Sequence, residues 1–419
     1  MNVHDFNLLD PEVLECPYPF YEALHGEAPV HHVPELGLTI VSSYDLLQEV
    51  VHDPETYSSS MPTEAGNLPR GKGETEDEGI IQLRKTFRRA NVPTLLAADP
   101  PYHARYRSLV NKALAPRRIM GMERYVRELV TELIDGFIDD GKVNFTKQFA
   151  DELPMSVIAD QIGVPRSELR EFKKRADYAI GGIERAIPPD EERKVLLAGV
   201  ELQEYFLERA EERRQHPKDD MLTTLVTAEL ETDDGSRPLN DDEILSILQQ
   251  LQVAGKETTA HLIGSTMLLF IENSDQLDAV QRDPSLITNM AEEALRAESP
   301  VRALFRTTTR PVTLGGVDVA EGAKIMLLYA AANRDECAFA NPAQFDVQRE
   351  NAPRHVAFSA GPHYCIGAAL ARLEIRVAYE EVLRRMTSFR LDPDYPPPRH
   401  VPSFILRGLD DLHIRFDRV

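Results

Sequence analysis

Residues 241–272, DDEILSILQQLQVAGKETTAHLIGSTMLLFIE, contain no proline and carry a helical pattern from end to end. Asn240 and Glu243 precede and open the run at the spacing of a capping box. At ~1.5 Å per residue the helix extends roughly 50 Å, the width of a whole domain. A helix that long must cross the core, so the fold is organised around it. Further helices are predicted over 100–115, with Asp99 as N-cap and Pro100 at the first helical position, and over 367–386. Another is predicted over 284–298, with Pro284 in its first turn and Pro300 beyond its end. Short β patterns occur at 36–42, 311–319, 324–329 and 411–416. The expected class is mainly α with small β-sheets.

No repeat and no Gly/Ser-rich or Pro-rich linker divides the chain, which reads as a single domain, 1–419. The stretch 59–98 stands apart, passing from acidic and Gly-rich into basic and amphipathic. It reads as a long, mobile surface excursion, of a kind that is often functional in compact domains, or as an ordinary solvated loop. Lys plus Arg number 47 against 69 Asp plus Glu, a formal charge of −22. Such a chain is ill suited to nucleic-acid phosphates. Neither a signal peptide nor a run of roughly 18 apolar residues is present, so no membrane segment is expected. The 3 cysteines, Cys16, Cys337 and Cys365, form no CxxC pair. Disulfides are therefore not expected, and the cytoplasm is the expected location.

A lone cysteine in a turn is ordinarily an inert buried side chain. Cys365 has unusual neighbours: Phe358-Ser359-Ala360-Gly361-Pro362-His363-Tyr364-Cys365-Ile366-Gly367, followed at once by a helical pattern. The positive end of that helix favours thiolate over thiol. A thiolate is a competent axial ligand for haem iron, and its electron donation favours O–O cleavage. Gly361 and Gly367 permit close approach to a flat macrocycle. Phe358 is placed to pack on the loop, and His363 to reach a haem propionate.

This segment resembles the haem-binding loop of the cytochrome P-450 family, Phe-Gly-x-Gly-x-His/Arg-x-Cys-x-Gly, with Ser359 where the family usually has glycine. Other segments resemble the family in the same order. Glu293-Ala294-Leu295-Arg296 is similar to its Glu-x-x-Arg helix, a pattern of little meaning alone. Asn333-Arg334-Asp335 and Phe345-Asp346-Val347-Gln348-Arg349 follow, and the resemblance implies a structural Glu293–Arg296–Arg349 triad. Ala254-Gly255-Lys256-Glu257-Thr258-Thr259 resembles the oxygen-activation motif. Gly255 in mid-helix costs about 1 kcal/mol relative to alanine, so a small ligand nearby gives it a reason. By resemblance Ala254 lies against haem, the Thr258 hydroxyl meets dioxygen, and Glu257 relays protons. His103 and Arg107, i and i+4 in Asp99-Pro100-Pro101-Tyr102-His103-Ala104-Arg105-Tyr106-Arg107, look like the propionate-gripping pair, with Arg105 on the exposed face. Arg306 matches a further propionate-binding arginine.

The resemblance spans essentially the whole chain, from Asp10-Pro11 to Leu406-Arg407-Gly408-Leu409. It implies the cytochrome P-450 fold, haem b on a Cys365 thiolate, and insertion of an oxygen atom from O2 into a hydrophobic small molecule. Terpenoids, steroids, fatty acids and aromatics are the candidate classes. Pocket walls are expected from 80–98, 170–200, Leu251, Ala254, Val301 to Phe305, and Phe404-Ile405. No flavin or iron–sulfur segment remains, so electrons are expected from a separate ferredoxin and its NAD(P)H-driven reductase. Residues 100–122 hold Arg105, Arg107, Lys112, Arg117 and Arg118 and no acid, a candidate docking patch for an acidic ferredoxin. Two other readings compete: a peroxide-using or isomerising haem-thiolate enzyme, and a haem sensor without turnover. The Glu257-Thr258 pair argues against both, because neither needs to manage dioxygen and protons.

Overall fold

A computed structural model describes residues 2–60, 78–87, 91–184 and 189–419. Positions 61–77 and 88–90 of the 59–98 excursion lie outside the described residues. The chain forms two compact units, one of Met1–Tyr57, Pro116–Pro154 and Gly255–Val419, the other of Ser58–Ala115 and Met155–Ala254.

The first unit contains the main sheet. Val30–Val33 and Leu38–Val41 form an antiparallel hairpin whose turn places Gly37 at φ 59°. Leu38–Val41 runs parallel to Lys324–Leu327, which pairs antiparallel with Leu304–Thr308. Strand alternation sorts the side chains to two sides. Val41, Ile325 and Leu327 join Leu47, Val50, Tyr329 and Phe339 in one core cluster. Leu38, Ile40 and Met326 join Phe20 and Leu24 in another. With both faces covered, every residue of Leu38–Val41 is buried, so polar alternation is absent from this strand. A second sheet orders Met386–Leu391, His413–Arg418 and Lys142–Asn144. Immediately before Met386–Leu391 in sequence lies the helix Ala368–Arg385, whose Tyr379 hydroxyl donates to Ile263 O at 2.7 Å.

The second unit is mostly helical. It includes Leu169–Glu184, Pro189–Gln215 and Tyr102–Ala113, with a small hairpin of Glu229–Thr232 and Gly235–Pro238. Arg213 Nε meets Asp220 at 2.6 Å and its terminal nitrogen donates to Gly163 O at 3.0 Å.

The long helix is Asp241–Glu272, with residues in each unit. Its capping box is formed: Glu243 N donates to Asn240 Oδ1 at 2.9 Å, and Asn240 N to Glu243 Oε2 at 2.8 Å. Two helix starts differ from expectation. The 284–298 helix begins as a 3-10 turn, Pro284–Leu286, before Ile287–Ala297. The 100–115 helix is Tyr102–Ala113 with Pro101 at the N-cap. Asp99 does not cap it, because its carboxylate accepts instead from the Ser58 hydroxyl and, at 2.7 Å, from Ser59 N. Among the described residues no helix is long and apolar enough to cross a membrane.

Candidate active site

The Cys365 loop is built by its own backbone. Ser359 N donates to Val356 O at 2.8 Å, a 3-10 turn spans Gly361–His363, and Cys365 N donates to Phe358 O at 2.8 Å. One residue, Ile366, then leads to Gly367, the N-cap of Ala368–Arg385. A Cβ placed on Gly367 would lie 3.9 Å from Cys365 Sγ, so the sulfur sits beside the helix's positive end. Cys365 is half-buried, whereas Cys16 and Cys337 are exposed. Gly361 has a reason nearer than a macrocycle: its φ is +63° and an added Cβ would fall 2.5 Å from Val51 O. Ser359 carries a side chain at a strained point of the loop. It adopts φ 58°, a conformation that favours glycine, and its hydroxyl lies 3.0 Å from Tyr329 OH.

Two buried ionic clusters centre on adjacent acids of the helix Ile287–Ala297. Arg296 grips Glu293 at 2.7 and 2.8 Å, and Arg349 Nε reaches both oxygens of Glu293 at 3.1 Å. Their remaining donors are taken by carbonyls, Asn333 and Pro342 for Arg296, Ala340 and Asn341 for Arg349. Buried charges persist only when paired and hydrogen-bonded in this way. The triad thus forms as the sequence implied.

The second cluster was not anticipated. Arg372 binds Glu292 at 2.7 and 2.8 Å, and His355 Nε2 lies 3.2 Å from the same carboxylate. Burial pushes the Glu292 carboxyl up, but the bonds from Arg372 and His355 outweigh it and hold the group at about 2. Burial pushes the His355 imidazole down. Arg372 also lies 4.7 Å above the Phe358 ring and donates to Tyr364 OH at 3.0 Å. Phe358 is buried and packs edge-on against Tyr364, as expected of a residue backing the loop. The sequence signal for this cluster was faint: Glu292 adjoins Glu293, and Arg372 lies on the helix that follows Cys365.

Arg306 sits on Leu304–Thr308 opposite Ile325 and is 4% exposed. Among the described residues its guanidinium makes no ion pair; it donates to Phe305 O at 2.7 Å. A buried guanidinium of this kind calls for an acid group. His363 is half-buried in the Gly361–His363 turn.

On the long helix Ala254 is exposed and Thr258 half-buried, i and i+4 on one face, whereas Lys256, Glu257 and Thr259 are buried. Lys256 Nζ lies 2.5 Å from Glu257 Oε1, and His261 Nε2 is 3.8 Å from Glu257 Oε2. The His261 ring is packed so tightly on Gly408 that a Cβ there would fall 2.0 Å from the ring. In the second unit His103 is buried and Arg107 half-buried on Tyr102–Ala113. Arg105 departs from the exposed role expected of it. It pairs with Asp233 at 2.6 Å and lies 4.7 Å over the Tyr102 ring.

The donor set fits a haem carrying two propionates. A half-buried sulfur lies at a helix N-terminus, a buried arginine is without a carboxylate partner among the described residues, and a small-residue face interrupts a buried helix. The fold and sequence comparisons agree. The family model for cytochrome P-450 matches residues 185–407. Cytochrome P-450 107B1 of Saccharopolyspora erythraea is 37% identical over 324 residues, 77% of each chain. CYP109Q5 of Chondromyces apiculatus superposes with a TM-score of 0.84 at 31% identity, covering 99% of this chain and 98% of that one. CYP109E1 of Bacillus megaterium, solved in complex with testosterone, gives 0.81 at 29% identity, covering 95% and 99%. With the fold, the motifs and relatives along most of its length in agreement, this chain belongs to the cytochrome P-450 family of monooxygenases, which carry haem b on a cysteine thiolate.

Proposed function

We propose that this monooxygenase inserts one oxygen atom of O2 into a hydrophobic small molecule, with Cys365 as the axial ligand and electrons from a separate ferredoxin and its NAD(P)H-driven reductase. The reaction balances as substrate C–H plus O2, two electrons and two protons, giving C–OH and water. Bound haem b supplies the oxygen-activating redox chemistry. In this reading Arg306, His363, His103 and Arg107 hold its propionates, while Phe358, Gly367 and Ala254 frame it. The whole chain, 1–419, acts as one catalytic domain in this reading.

One observation carries the reading: a buried carboxylate, Glu257, immediately precedes a half-buried threonine, Thr258, on the long helix. Glu257 is held by Lys256. Its carboxylate is therefore kept in place until it exchanges that partner for a proton. Thr258 Oγ1 holds the proton on the substrate side, and Glu257 replenishes it from solvent. Neither peroxide use nor ligand sensing needs this pair.

The substrate is apolar in this reading, because the candidate walls are. Phe305 and Phe404 meet edge-on with ring centroids 6.4 Å apart. The testosterone complex of CYP109E1 favours a steroid or a molecule of similar bulk. The proposed ferredoxin patch keeps Lys112, Arg117 and Arg118 and loses Arg105, which is committed to Asp233.

Thr258→Ala tests the mechanism. The variant should keep its haem and accept electrons, but release peroxide in place of hydroxylated product. Unchanged coupling between electron use and product would overturn the assignment.

A further inference from the structure

In the first unit Arg302 is 2% exposed, and only part of its guanidinium is satisfied. One terminal nitrogen donates to Leu14 O at 2.5 Å. Nε is buried and has no acceptor among the described residues. The carboxylate whose field reaches Arg302 is Glu298, and it is already shared. Arg407 Nε binds Glu298, Arg334 lies 3.6 Å from it, and the Tyr18 hydroxyl donates to it.

Arg302 lines a small cavity together with Tyr21 and the apolar side chains Leu8, Phe20, Leu328 and Phe404. Tyr21 is 3% exposed, and its hydroxyl makes no hydrogen bond to another described residue. Burial raises its pKa, so the group remains an O–H donor. The cavity of about 10 Å³ admits roughly one water-sized sphere. A guanidinium and a phenol hydroxyl thus line a space otherwise bounded by apolar groups. Water there satisfies both donors but leaves its own protons facing hydrocarbon. An anion satisfies the donors, offers no proton, and offsets a buried charge that is otherwise unpaired.

We propose that Arg302 and Tyr21 hold one compact monovalent anion in this cavity, either a halide ion or the head of a small carboxylate. The site fixes a junction of backbones. Arg302 N donates to Ile405 O at 2.7 Å, and Ala330 N to Arg302 O at 3.1 Å. Anion binding therefore stiffens the meeting of residues 301–305 with 404–406, without itself taking part in oxygen chemistry.

The test uses the haem-loaded protein. Thermal unfolding is followed as chloride, bromide or formate replaces gluconate at constant ionic strength. A specific site raises the wild-type midpoint by about 2–4 °C at saturation, and Arg302→Gln abolishes the rise while Tyr21→Phe weakens it. A rise with formate but not with halide assigns the site to carboxylates; the reverse assigns it to halides. Bromide-soaked wild-type crystals should show an anomalous peak, or for a carboxylate site formate-soaked ones a new density peak, beside Arg302 Nε and Tyr21 OH. The proposal is overturned by an anion response unchanged in Arg302→Gln, or by soaked crystals with no peak at that position.

Discussion

Arg372 holds both oxygens of Glu292, at 2.7 and 2.8 Å, while its guanidinium lies 4.7 Å above the Phe358 ring. One side chain thereby joins the Ile287–Ala297 helix to the Cys365 loop through a charge pair and a ring face. Phe358 and Tyr364 of the loop both rest on this side chain. Arg372→Met should destabilise the protein by about 3 kcal/mol, since Glu292 is left buried with its main partner gone. Urea unfolding measures the loss. Haem should also dissociate faster from the variant, and an unchanged dissociation rate would separate the cluster from the loop.

The same cluster sets an acid limit. Glu292 is held at about 2, below its ordinary 4.5, so the unfolded chain binds the proton more readily than the folded one. Its contribution is complete above pH 4.5 and is lost as pH falls toward 2. The stability gap between wild type and Glu292→Gln should be widest above pH 5 and close as pH approaches 2. Unfolding midpoints across that range provide the check; a gap that widens on acidification contradicts the sign.

Ser359 and Tyr329 make a separable prediction. Ser359→Ala and Ser359→Gly both remove the 3.0 Å bond to Tyr329 OH, a loss of about 1 kcal/mol. Glycine recovers about 1 kcal/mol by accepting φ 58° without a Cβ. Ser359→Gly should therefore be close to neutral and clearly more stable than Ser359→Ala. Equal stabilities would show that the turn carries no strain at this residue.

Gly361 allows no such exchange. Gly361→Ala places a methyl 2.5 Å from Val51 O at φ +63°, so backbone must move. A loss of about 2 kcal/mol or more is expected, with poor haem incorporation, measured by thermal unfolding and by the haem-to-protein absorbance ratio.

Electron delivery has its own test. Lys112→Glu and Arg117→Glu, both exposed, should slow reduction by an acidic ferredoxin and flatten its salt dependence in stopped-flow measurements. Arg105→Glu should act by breaking the pair with Asp233 and is a poor reporter of docking. Reduction rates unaffected by the first two changes contradict the patch.

What could be read from sequence was what is local. The long helix and its Asn240–Glu243 cap depend on spacing within one segment, and the structure reproduces both. The Cys365 loop is likewise continuous in sequence, and the Glu293 triad was reached through motif order. What escaped depends on distant partners. Glu292 meets Arg372 and His355 across 80 and 63 positions, with no local pattern to mark them. Asp99 had the right residue type and place for a cap, but Ser58 and Ser59, 41 and 40 positions away, take its carboxylate. The strands Val30–Val33 and Leu304–Thr308 are short and lack clean alternation, so periodicity could not single them out.

The sulfur of residue 365 is the point on which the functional reading turns. The decisive measurement is the carbon monoxide difference spectrum of the reduced protein, taken for wild type and for Cys365→Ala. Wild type should show the red-shifted Soret band of a thiolate-ligated haem, and the variant should lose it even where some haem is retained. An identical band from both proteins would contradict the assignment.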